Sequence, residues 1–226
     1  MTIDNGSLEG GRSMRLIAVA VAALVLLSSG SSLAQDWIEY ASRADLFTVN
    51  FPGQPNVREI TYPTEYDITL PGRVYSVDAG LNRYSVTVVD YANAEKIHTA
   101  RAEECRKAGG EGDACGNRWR AELQGAIVYA TSNLLKRDVK LTLYAHYNAD
   151  QIEGHRLQLL NPDKSRTFAA IHMHENRLYI LEGTTPAGSP PPALFQQSLG
   201  FLDKEGNRIR YESVYSNAYP PPRRTR

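Results

Sequence analysis

The sequence predicts an α+β fold, an antiparallel sheet sandwiched between helices, in a single domain that follows a cleaved export signal. Three observations predict it. Strand-like runs of alternating apolar residues, punctuated by Pro-Gly and Asn/Asp turns, lie on both sides of a central segment. That segment, from Ala94 to Lys136, changes to helical spacing. Finally, Leu178-Tyr179-Ile180-Leu181 is apolar at successive positions, so both faces of the sheet need cover.

The chain of 226 residues opens with an uninterrupted apolar run, Leu16 to Leu27, preceded by Met14-Arg15 and followed by small residues. Twelve helical residues span roughly 18 Å, short of the roughly 30 Å hydrocarbon core of a bilayer. Ser32 and Ala34 flank Leu33 in the small-x-small pattern, which places the cut between Ala34 and Gln35. The segment 1–34 is therefore expected to be a signal peptide, and the mature chain to be periplasmic or secreted with no stable membrane insertion. An uncleaved anchor is the alternative, because the polar stretch before the run is long; translation from Met14 would shorten it.

The expected domain spans residues 35–216. Phe47-Thr48-Val49-Asn50-Phe51 alternates as a strand stopped by Pro52-Gly53, and further strands are expected at Val57 to Tyr62, Arg73 to Asp78 and Tyr84 to Tyr91. A first helix carries Ala100, Glu103, Glu104 and Lys107 and breaks at Gly109. A second runs from about Asn117 to Lys136, with Trp119, Leu123, Ala126, Ile127, Ala130 and Leu134 as its apolar stripe and Trp119 as a core anchor. Four strands follow, Val139–Tyr147, Ile152–Leu160, Arg166–His174 and Arg177–Thr184, joined by short polar turns. A third helix is expected from about Pro191, carrying Leu194, Phe195, Leu199 and Leu202. Residues 217–226, with three prolines and three arginines, are expected to form an extended, mobile tail.

Charge is balanced, with 25 Lys and Arg against 25 Asp and Glu and no basic block, which argues against nucleic acid as the main partner. The two cysteines, Cys105 and Cys115, lie either side of Gly109, Gly110 and Gly112. In an oxidising compartment they are expected to form a structural disulfide contributing about 2–3 kcal/mol. The spacing suits neither a catalytic dithiol nor a zinc knuckle.

Chemistry concentrates in the histidines. With a hairpin loop at Ala149-Asp150, His146 faces Glu153; with the next loop at Pro162-Asp163, Glu153 faces His172. His155 and His174 join by alternation, so His146, Glu153, His155, His172 and His174 would share one end of one face, a donor set suited to zinc, copper or nickel. A one-residue slip in either hairpin would scatter them. No nucleophile elbow, dinucleotide fingerprint or phosphate-binding loop is present, so no catalytic residue is assigned.

Phe47-Thr48-Val49-Asn50-Phe51-Pro52-Gly53-Gln54-Pro55 and Tyr84 to Tyr91 resemble the opening hairpins of PsbP-like domains. Arg166-Thr167-Phe168, Arg177 to Leu181 and Phe195-Gln196-Gln197-Ser198-Leu199 look like their closing strands and final helix. The resemblance covers most of Phe47 to Leu202 and implies an α/β/α sandwich and an extrinsic accessory or binding role. The Cys105/Cys115 loop and the Pro-Arg tail depart from the photosystem members. The sequence thus leads to an exported, non-enzymatic accessory protein, without a cofactor, whose partner is an envelope protein or complex. The alternatives are a metal-binding protein using the histidine end, and an enzyme with dispersed residues.

Overall fold

The structure is a computed structural model that describes residues 37–217 and 219–225; the expected signal peptide lies outside these residues. The described residues form ten strands and three helices: β1 (Ile38–Ser42), β2 (Phe47–Phe51), β3 (Asn56–Pro63), β4 (Thr69–Ala79), β5 (Asn82–Asp90), α1 (Ala94–Lys107), α2 (Trp119–Leu135), β6 (Lys140–Ala149), β7 (Ile152–Leu160), β8 (Arg166–His174), β9 (Arg177–Thr185), α3 (Ala193–Gln196) and β10 (Gly200–Phe201). A 3-10 turn, Gly112–Cys115, sits between α1 and α2. Among the described residues no helix is long and apolar enough to cross a membrane.

Alternation of Val, Tyr and Thr makes each run a half-buried strand, and tight turns join them into two antiparallel meanders. β5 pairs with β9, which fuses the meanders into one seven-stranded sheet of order β3-β4-β5-β9-β8-β7-β6. β3 and β6 are its edges.

Each face has its own core. On one, Leu70, Val89, Tyr91, Leu157, Leu159, Ile171 and Leu178 pack with Ala126, Ala130 and Leu134 of α2. The small alanines let the helix approach the sheet closely. On the other, Tyr75, Val86, Tyr179 and Leu181 pack with Phe47, Val49, Phe51 and Phe201 of a second, three-stranded sheet of order β1-β2-β10.

The α+β class therefore stands, but the second layer is mainly β and not helical. The expected third helix is one turn, Ala193–Gln196. Ser198 Oγ donates to Phe195 O, accepts from the Asn50 amide, and turns the chain out of the helix. Gly200 and Phe201 then pair with Thr48 and Phe47, so Leu199 and Leu202 are buried by strand pairing and not by a helical stripe. Trp119 also departs from expectation: at the first residue of α2 it is only partly buried and lies under the Arg120 guanidinium, 5.3 Å from ring centroid to Cζ.

A buried carboxylate ties the layers together. Asp45 accepts from Arg73 at 2.7 Å and from the Tyr75 hydroxyl at 2.5 Å, while its carbonyl accepts from Tyr179 at 2.9 Å. Burial, followed by the hydrogen bond to Asp45, pushes the Tyr75 hydroxyl well above its ordinary pKa. The adjoining Leu46 takes the left-handed conformation (φ 54°), which such a network of partners holds in place.

The segment after β10 returns across the molecule. Tyr215 bridges Ile152, and Tyr211 bridges Arg224. Residues 219–225, expected to be extended and mobile, are extended and paired: the Glu212 amide donates to Arg223 O, the Thr225 amide donates to Arg210 O, and Arg224 pairs with Glu175 at 2.5 Å.

Candidate functional site

The two hairpins that carry the histidines do not adopt the expected registers. Asp150 and Gln151, both at positive φ, form the β6–β7 turn, so His146 faces His155 and Asn148 faces Glu153. The β7–β8 connection is the five-residue loop 161–165, closed by Asn161 and Ser165, and it sets Gly154 opposite His172. That one-residue slip reverses the face of β8 relative to expectation.

The five candidate ligands are thereby divided. His146, Glu153 and His155 stay on the α2 face, with His146 Nε2 3.8 Å from Glu153 Oε2. His172 and His174 lie on the opposite face, within the aromatic core. Among the described residues no group of three or more His, Cys, Asp or Glu side chains could hold a metal ion. The five-residue cluster expected from sequence is not assembled.

His172 and His174 act instead as buried neutral rings. His172 donates from Nδ1 to the Ile152 carbonyl at 3.1 Å, leaving a buried, unpartnered Nε2 beside Tyr147 and Phe201. Desolvation lowers its pKa to about 4. His174 Nε2 shares a hydrogen bond with the Tyr211 hydroxyl at 2.8 Å among Phe201, Tyr211 and Tyr215. Desolvation, assisted by Arg224 and Arg177, lowers it to about 3.

His155 takes part in a different structure, a seam between α2 and the sheet. The Thr131 hydroxyl donates to Ile127 O and accepts from His155 Nδ1 at 2.9 Å. Tyr144 of β6 stands edge-on to the same imidazole, centroids 5.1 Å apart. Desolvation first, then His146, lowers the His155 pKa. Val128, Thr131 and Leu135 form one stripe of α2 at three- and four-residue spacing, and the Thr131–His155 contact ties that stripe to β7.

The first half of β6, paired with β7 on one side only, leaves Lys140 to Tyr144 all exposed. Leu141 (42%), Leu143 (42%) and Tyr144 (52%) are exposed on this edge strand, and Val128 (61%) and Leu135 (40%) are exposed on α2. Pairing shifts register between Leu141 and Leu143, which puts Leu141 and Tyr144 on the helix face and Leu143 on the other. An incoming strand would therefore meet apolar side chains on both faces, next to β6 main-chain groups that no described strand pairs.

Acid–base chemistry finds less support. The carboxylates with displaced pKa values, exposed Asp163 and half-buried Asp203, are lowered by turn hydrogen bonds, chiefly to the Ser165 hydroxyl and the Asn207 amide. The disulfide joins Cys105 and Cys115 as expected, with Cα atoms 5.4 Å apart. One buried pair was not anticipated: His98 Nε2 lies 3.1 Å from Glu122 Oε2, which also accepts from Thr64 Oγ1 at 2.9 Å. Its signal was present in Ala94-His98-Ala102 at four-residue spacing and in Glu122 lying on the stripe of Ala126 and Ala130.

No family model matches the sequence, and a search of curated proteins returns no match. Among solved structures, the chain is similar to the solution structure of cyanobacterial PsbP (CyanoP) from Synechocystis sp. PCC 6803. The match covers 77% of this chain and 98% of that chain, at 10% identity and a TM-score of 0.42.

Proposed function

We propose that the protein is an exported, non-enzymatic accessory protein that binds an extended, apolar segment of an envelope protein along β6, with the α2 stripe as a second wall. The observation that carries this reading is the five-residue exposed run of β6, which leaves apolar side chains in water on both faces of an unpaired edge. Monomeric proteins normally guard such edges with charge, proline or a covering element. Strand addition supplies main-chain hydrogen bonds for affinity and alternate side-chain pockets for selectivity. Lys136 and Lys140 border the region, so a segment with acidic residues beside its apolar ones fits best.

A photoreactive amino acid at Leu143, in cells that export the protein, tests this reading, with Val57 on the opposite edge as control. The expected result is one crosslinked envelope partner from position 143, joined through a contiguous extended peptide, and none from position 57. Equal crosslinking from both edges, or a crosslink from 143 only to a second copy of this chain, would overturn it.

A further inference from the structure

We propose a small-oxyanion site, for a carboxylate or a phosphate, in the cavity bounded by α1, the disulfide loop and the β3–β4 turn. The inference is independent of the β6 edge and stands on a different part of the molecule. The cavity has a volume of about 280 Å³ and is walled by Tyr66, His98, Arg101, Arg118 and the Cys105–Cys115 disulfide. That is the room of several water molecules, enough for phosphate or a small di- or tricarboxylate.

Two guanidinium groups define the charge of this space. One nitrogen of Arg101 donates to the carbonyl oxygens of Tyr66 and Asp67, at 3.1 and 3.2 Å. One nitrogen of Arg118 donates to Asp113 O at 3.3 Å. Each fork is thus oriented by backbone and keeps other N–H donors, the arrangement that recognises planar or tetrahedral oxyanions. No carboxylate lines the cavity. Glu122 is held away behind His98, where His98 and Thr64 satisfy it.

The construction of the walls supports a binding role. His98 and Glu122 are both almost fully buried, an arrangement that contributes little net stability and that functional sites favour. The outer wall is closed covalently: a Cβ on Gly110 would fall 2.5 Å and 2.7 Å from the two sulfurs, so the loop is packed directly on the disulfide. Through Gly116 the disulfide fixes the segment that carries Arg118. The site should therefore depend on the oxidised state.

Calorimetric titration of the mature protein with inorganic phosphate and, separately, with citrate tests the proposal and distinguishes the two chemistries. Saturable one-to-one binding of one anion is expected, weakened at least about tenfold in Arg101→Gln/Arg118→Gln, since charge-assisted forks supply most of the affinity. Cys105→Ser/Cys115→Ser, checked by circular dichroism for an intact sheet, should weaken it similarly. Arg106→Gln/Lys107→Gln, which removes two charges from the last turn of α1 outside the cavity, should leave it unchanged. Failure of both anions to saturate at millimolar concentration, or equal weakening by the Arg106/Lys107 control, would overturn the site.

Discussion

At one edge of the seven-stranded sheet, β3 shows solvent Arg58 and Glu59 beside a single exposed apolar residue, Val57, follows Pro55, ends at Pro63, and is engaged by Arg73, whose Nε is 3.9 Å from Glu59. At the other edge, β6 shows solvent Leu141, Leu143 and Tyr144. Among the described strands, each has one neighbour and one open side. The difference lies in the side chains: β3 carries the charges and prolines that discourage pairing, and β6 carries what an added strand would bury. Position at an edge is thus dictated by topology, whereas availability of that edge is written residue by residue.

The contrast can be broken most forcefully from beneath. Leu157, fully buried under the β6–β7 hairpin, should cost about 3 kcal/mol on Leu157→Ala, whereas Ile60→Ala on half-exposed β3 should cost under about 1 kcal/mol in urea unfolding. Equal losses would mean that the two edges are supported alike.

Acid gives an effect of similar size with a defined sign. His172 is neutral when folded, with a pKa near 4, and titrates near 6.5 when unfolded, so the unfolded chain binds the extra proton between these values. Stability should fall as pH drops from 6.5 towards 4, by up to about 3 kcal/mol for this group, and His174 extends the loss towards pH 3. The gap between urea midpoints at pH 7 and 5 should narrow in His172→Phe without closing, since His174 and His155 keep their own lowered values, and amide exchange should speed up in β6–β8 before β3–β4. An unchanged pH slope in the variant would show that His172 is not the responsible group.

Thr131→Val removes the acceptor of His155 and should cost about 1 kcal/mol, read as faster amide exchange at Tyr144 with β3 unaffected. The smallest effect on stability belongs to the edges themselves. Leu143→Lys and Val57→Lys should each shift it by no more than about 0.5 kcal/mol, yet only Leu143→Lys should abolish the partner crosslink, placed for this purpose at Leu141. Retention of that crosslink would remove Leu143 from the docking surface.

Strands β2, β7 and β8 run over the residues expected for them, because β-rich runs bounded by turn residues are local in the sequence, although β8 is buried on both faces. Register is not local in the same way. The β6–β7 turn uses Asp150-Gln151 at positive φ without the Asn-Gly or Asp-Gly pair that advertises such a turn. The β7–β8 loop spends five residues, with Lys164 in the left-handed region, where two were expected; an odd count in place of an even one moved His172 and His174 to the other face. The third helix failed for a related reason. Leu199 and Leu202 fit a helical stripe, but Gly200 and the free edge of β2 favoured a strand. The apolar run of β6 was legible as sequence and not as a site, since its exposure depends on β6 having no neighbour but β7 among the described strands.

The short pairing of Gly200–Phe201 with β2 has a consequence for the order in which the molecule can be completed. The Asn50 amide finds its acceptor, Ser198 Oγ, 148 residues later, and Phe47 and Phe51 share their core with Phe195 and Phe201. A chain that emerges N-terminus first presents these aromatic residues long before their cover has been synthesised, and loop-closure entropy must be met across nearly the whole domain. The first strands to appear are among the last to be buried, which makes the β1–β2 hairpin the segment most in need of protection during biogenesis.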